Sequence, residues 1–167
     1  MKIYLATDHT GLEQKNEVKK YLERENHEVI DCGAYEYDKD DDYPDFIGKA
    51  ADGVSSDKDS IGFIFGGSGQ GEQMTANKYK GVRCALFYSG AIPVSEIDIS
   101  GAKSEDPFEI IKLTRQHNHA NMLSFGIRFL TIEQIIKAVG VFIRTPNSDE
   151  ERHARRVNKI SIIEQNA

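Results

Sequence analysis

Ile61-Gly62-Phe63-Ile64-Phe65-Gly66-Gly67-Ser68-Gly69-Gln70-Gly71-Glu72 decides the fold. Five residues, four of them large and apolar, run into a loop with four glycines in six positions. A short apolar run bounded by turn residues is a buried strand. The mixed stretch Glu72 to Tyr79 predicts a helix after the loop. Strand, glycine loop and helix in that order are one step of an alternating α/β chain.

The neighbouring segments repeat the step. Ile3 to Ala6, His27 to Ile30, Val82 to Phe87 and Met122 to Phe125 predict four more strands. Helices are predicted over Leu12 to Leu22, Ile47 to Val54, Phe108 to Gln116, Ile132 to Phe142 and Glu150 to Glu164. On the first helix, Leu12, Val18, Tyr21 and Leu22 form the apolar side, and Glu13, Lys15, Glu17 and Lys19 lie elsewhere. Thr10 is placed to cap its start. The pattern predicts a parallel five-stranded sheet with helices on both faces, and ligands beyond the carboxyl ends of its strands. No linker or repeat interrupts it, so residues 1–167 are expected to make a single domain.

At 167 residues the chain can bury roughly 70% of its unfolded surface, enough for a core without staples. It is 39% hydrophobic and 29% charged, which argues against intrinsic disorder. Lys and Arg number 21 against 27 Asp and Glu, a net charge of −6. That balance argues against nucleic acid as a partner. No stretch approaches the ~18 apolar residues of a membrane span. The start, Met1 to His9, reaches Asp8 and His9 too early for a secretory leader. Cys32 and Cys84 form neither a CxxC pair nor a disulfide framework. A cytoplasmic protein is expected.

The glycine loop carries the strongest local chemistry. Glycines let the backbone approach a ligand, and the helix start offers N–H donors to an anion or oxyanion. A tight strand-to-helix turn alone needs fewer glycines. A P-loop is excluded, because Glu72-Gln73 stands where Lys-Ser/Thr is required. A dinucleotide fingerprint belongs on the first strand, and this loop comes after the third. Glu72 reads equally well as a charge complementing the helix dipole and as a general base. Ser68 is a turn residue or a proton-passing hydroxyl. Asp8-His9, after the first strand, is a capping turn or part of a site. His117-Asn118-His119 spaces its histidines at i, i+2, which no helix face shares, so zinc is disfavoured. Arg152 and Arg156 at i, i+4 share a helix face, solvated beside Glu150 and Glu151 or clamping phosphate. Asp38, Asp40, Asp41, Asp42 and Asp45 lack the glycine and closing glutamate of a calcium loop. They read as a solvated loop into a helix, with Asp42-Tyr43-Pro44 as its start signal.

Together these motifs resemble a family. Asp8-His9-Thr10-Gly11, Asp42-Tyr43-Pro44-Asp45, Gly66 through Gln73, Ala76-Asn77-Lys78, His117-Asn118, Gly126-Ile127-Arg128 and Arg152 through Arg156 match the order of ribose-5-phosphate isomerase B and the galactose-6-phosphate isomerase subunits. The resemblance implies a doubly wound, Rossmann-like α/β fold and an aldose–ketose isomerase that needs no metal or cofactor. It implies a homodimer or homotetramer with active sites shared between subunits. By the same resemblance Asp8 or His117 helps open the sugar ring, and Ser68 moves a proton between O1 and O2. The backbone at Gly67, Gly69 and Gly71 holds the enediolate. His9, Arg128, Arg152 and Arg156 bind the phosphate, and Asn118 touches the substrate. Many members place a cysteine base where this chain has Gly66. The chain resembles the subgroup with Gly-Gly-Ser-Gly and a glutamate base, which assigns that role to Glu72.

Ribose 5-phosphate and ribulose 5-phosphate are therefore the expected pair. A six-carbon substrate such as allose or galactose 6-phosphate is the alternative, since residues from about 90 to 105 look inserted relative to the family. That segment is expected to be a surface loop, with a lid or altered sugar pocket as the sharper reading. A non-catalytic sugar-phosphate-binding protein would keep the glycines and arginines without needing Glu72.

Overall fold

A computed structural model of the chain describes residues 1–166; Ala167, the last residue of the expected domain, lies outside them. Five strands form one parallel sheet: β1 (Lys2–Thr7), β2 (Glu28–Asp31), β3 (Ile61–Gly66), β4 (Cys84–Phe87) and β5 (Met122–Gly126). Among the described residues six α-helices accompany them: α1 (Leu12–Arg24), α2 (Tyr43–Ser56), α3 (Gln70–Ala76), α4 (Glu109–Asn118), α5 (Ile132–Arg144) and α6 (Glu151–Gln165). The strand order is β2-β1-β3-β5-β4, and the sheet is flanked by helices in the expected doubly wound, Rossmann-like manner.

The chain divides into two compact units. The first comprises Met1–Tyr88 and Ala120–Ile136, and so holds the whole sheet; the second comprises Ser89–His119 and the segment from Lys137 onward. In the first unit every residue of β3 is buried, as a strand covered on both faces requires. One face sets Ala6, Ile64, Cys84 and Met122 against Ile47, Ala50, Ala51 and Val54 of α2. The alternate residues Phe63, Phe65, Phe87 and Phe125 make an aromatic cluster, with the Phe65 and Phe125 rings stacked 5.3 Å apart. Each such side chain contributes about 1.5–3 kcal/mol on burial. The central strands are therefore a fixed platform for the loops at their carboxyl ends.

Several boundaries differ from the sequence reading. The helix after the glycine loop starts at Gln70 and stops at Ala76, so Glu72 lies in its first turn. β4 begins at Cys84 rather than Val82. α2 begins at Tyr43 with Pro44 in its first turn, where the missing proline N–H costs nothing. Thr10 does not cap α1. Asp8 Oδ1 instead accepts from the Thr10 N–H and caps a 3-10 turn over His9–Gly11. Lys15 is fully buried rather than on the charged side of α1. Its Nζ donates to Asp31 Oδ1 at 2.6 Å and to the Ala34 carbonyl at 2.7 Å, tying α1 to the end of β2.

Candidate active site

β1 has β2 on one side and β3 on the other, so the chain changes winding direction between β1 and β3. The carboxyl ends of strands at such a switch point leave a crevice for ligands. Register aligns those ends: Thr7 lies opposite Phe65, and Gly66 opposite Gly126. Asp8-His9 comes after β1, the glycine loop after β3, and Arg128 after β5. The first unit therefore brings Asp8, His9, Ser68, Gly67, Gly69, Gly71, Glu72 and Arg128 to one edge of the sheet.

The loop is built to pass close to its neighbours. Gly69 has φ +72°, and a Cβ there would lie 2.8 Å from the Phe125 carbonyl carbon. Only glycine meets both conditions. The buried Ser124 hydroxyl donates to the Gly69 carbonyl at 2.7 Å and pins the turn. The Arg128 N–H donates to the Gly67 carbonyl at 3.2 Å, and the guanidinium lies over Gly67. Gly71 is part of α3, with the Tyr43 hydroxyl beside it. Ser68 is half-buried, its Oγ 3.4 Å from the Gln70 N–H.

Gly66 serves a different purpose. A Cβ there would fall on the Glu72 carboxylate. The absent side chain is the space that the Glu72 carboxylate occupies. Glu72 is only 5% exposed. Burial pushes its carboxyl above the usual range, and the Asp8 carboxylate raises it further. The Arg128 guanidinium and the backbone N–H of Glu72 oppose that shift. A desolvated carboxylate with a raised pKa is a better proton acceptor than one in water.

His9 Nδ1 lies 2.6 Å from Asp41 Oδ1, and the Asp41 carboxylate also accepts from the His9 N–H at 3.2 Å. This hydrogen bond holds the imidazole above its ordinary range. Tyr37 meets the ring edge-on at 5.6 Å. Asp8, His9 and Asp41 bring one ligand-type atom each within 4.8 Å of one another. The 2.6 Å contact is a short hydrogen bond, and the Asp8 and Asp41 charges add to its upward pull on the imidazole. The sequence reading missed Asp41; nothing in a run of aspartates singles one out.

The second unit carries His117, Asn118, Arg152 and Arg156. His117 and Asn118 end α4. The His117 ring stacks on His153 of α6, centroids 4.2 Å apart and planes 6° from parallel. Arg152 Nε donates to Glu150 Oε2 at 2.6 Å, and Arg156 is exposed on the same helix. His153 is a further residue to which sequence reasoning gave no role.

The chain matches the Ribose/Galactose Isomerase family model over residues 3–92 and 98–160. It belongs to that family. It is 40% identical over 164 residues to ribose-5-phosphate isomerase B of Mycolicibacterium paratuberculosis, covering 98% of this chain and 92% of that protein. It is also similar to the solved ribose-5-phosphate isomerase B of Mycoplasma genitalium with bound ribulose 5-phosphate: TM-score 0.84, 35% identity, 99% and 97% of the two chains covered. The corresponding structure from Clostridium thermocellum matches at TM-score 0.83 and 31% identity, over 99% of each chain.

The ribose/galactose isomerase match breaks at 93–97, inside the segment read as inserted. Residues 89–106 form neither helix nor strand, and Ile92, Val94 and Ile99 project into solvent. Both cysteines are buried, and burial pushes their thiols up, so neither is a ready nucleophile. Among the described residues, no helix is long and apolar enough to cross a membrane.

Proposed function

We propose that this isomerase interconverts ribose 5-phosphate and ribulose 5-phosphate through an enediolate, with Glu72 as the base. The observation that carries the reading is the Glu72 carboxylate buried in the space left by Gly66, at the switch point of the sheet. The names of the similar proteins support the substrate pair.

After Asp8 or His117 helps open the ring, Glu72 removes the C2 proton. The electron pair becomes the C1=C2 bond, and Ser68 passes the O2 proton to O1. Glu72 then returns its proton to C1, giving the ketose. Backbone donors at Gly67, Gly69 and Gly71 hold the negative charge as it develops; one such donor is worth about 10²–10³ in rate. His9, its pKa raised by the Asp41 hydrogen bond, binds the phosphate with Arg128, Arg152 and Arg156, and Asn118 touches the sugar. The working form is a cytoplasmic homodimer or homotetramer in which a second copy contributes some of the arginines. No metal, cofactor or nucleic acid enters this scheme.

The test is Glu72→Gln assayed with ribose 5-phosphate. Turnover should fall by about 10²–10⁴, and solvent deuterium should no longer enter C2. Near-wild-type turnover would remove Glu72 from the role of base. Failure of the unaltered protein to exchange C2 deuterium would favour sugar-phosphate binding without catalysis. The loop at 89–106 keeps a six-carbon substrate in view. Higher kcat/KM with allose or galactose 6-phosphate than with ribose 5-phosphate would reverse the substrate assignment.

A further inference from the structure

We propose that His153 is a positioning residue that seats the His117 imidazole for ring opening; this rests on the role given to His117 above. The two rings lie face to face, 4.2 Å between centroids and 6° from parallel. His153 is 2% exposed, so its ring has no freedom to leave the stack. Among the described residues, neither of its ring nitrogens has a hydrogen-bond partner. The nearest carboxylate oxygen, Glu150 Oε2, is 3.8 Å from Nε2 and is already engaged by Arg152.

A residue kept only for packing would not look like this. Leucine fills such a space without burying two polar atoms, but it offers no flat face for a stack. His153 instead supplies a small flat face matched to the His117 ring. Burial and the neighbouring His117, Arg152 and Arg156 disfavour its cationic form, and Glu150 alone opposes them. Disfavouring charge on His153 limits like-charge repulsion between the two stacked rings. The stack fixes the plane of His117, and hence the direction in which its ring nitrogens point, and His117 itself is only half-buried.

Three purified variants test this with ribose 5-phosphate: His153→Leu, His153→Phe and His117→Ala. Leucine keeps apolar volume and removes the flat face; phenylalanine keeps the face and removes the nitrogens. With folding verified by circular dichroism, His153→Leu should lower kcat by about tenfold or more and move KM by less than about twofold. His153→Phe should restore kcat to within about threefold of wild type. A folded His153→Leu within about twofold of wild type, beside an impaired His117→Ala, overturns the proposal and leaves the role of His117 standing. A folded His153→Phe that loses tenfold also overturns it, since the face is present and only the nitrogens are gone. Wild-type turnover by His117→Ala removes the ring-opening assignment first, and this inference with it.

Discussion

Gly66→Ala separates the role of an empty space from the role of a side chain. The added methyl would coincide with the Glu72 carboxylate, within 2.5 Å of Oε2 and closer to Oε1 and Cδ. No shift of a few tenths of an ångström relieves an overlap of that size, so Glu72 must leave its place. The backbone does not object: Gly66 is the last residue of β3, paired with Gly126, and its φ is not positive. Gly→Ala at a permissive position stabilises by about 0.4–1 kcal/mol through the unfolded chain, offsetting part of the cost of moving the carboxylate. The expected result is an active-site lesion in a protein of nearly normal stability. kcat for ribose 5-phosphate should fall by about 10²-fold or more, with a change in stability within about 1 kcal/mol by urea titration. The double variant Gly66→Ala/Glu72→Gln should be about as slow as Glu72→Gln alone, because both changes remove one group. Gly66→Ala that keeps more than about a tenth of wild-type kcat would refute the reasoning. So would a double variant slower than the Glu72→Gln single by another two orders of magnitude.

Other groups give independent tests. Glu72 binds its proton more tightly when folded than at its ordinary value near 4.5. Its contribution to stability is therefore present below that value and lost as pH rises through the folded one. Glu72→Gln should raise the melting temperature at pH 7–8 more than at pH 4, and a thermal melt series checks this. For His9 the folded value is raised above 6.5, mainly by the Asp41 hydrogen bond. Stabilisation from the cation is full below 6.5 and lost as pH rises through the folded value. Asp41→Asn should raise KM for ribose 5-phosphate by a factor that grows between pH 6 and pH 8; a constant factor would contradict the role of the His9 charge. Lys15→Met leaves Asp31 with Lys19 at 3.2 Å and the Gly33 N–H as partners. It should cost about 3 kcal/mol in denaturant unfolding, the scale of breaking a buried pair.

Legibility in the sequence depended on where the determining contacts lie. β3 and its glycine loop were readable because both signals are local: unbroken apolar character reports burial, and the glycines report a turn that side chains would block. The order of motifs placed Asp8, His9, Glu72 and Arg128 at strand ends, and the parallel register then made those ends adjacent. Contacts between distant segments were not readable. Lys15 falls among the charged positions of α1 by spacing, yet it is buried because Asp31 and Ala34, from beyond that helix, receive its ammonium. Asp41 differs from its acidic neighbours only in meeting His9, 32 residues away. The two readings of Glu72 had equal support because a helix-dipole charge and a base occupy the same place in the chain. The family resemblance, not the local sequence, favoured the base, and the burial of Glu72 supports that proposal. A charge complementing a helix dipole needs no burial, whereas Glu72 is buried against a glycine with no side chain to exclude it. The residue at 66 therefore admits or refuses the glutamate. In this chain the glycine leaves the room in which the Glu72 carboxylate is buried.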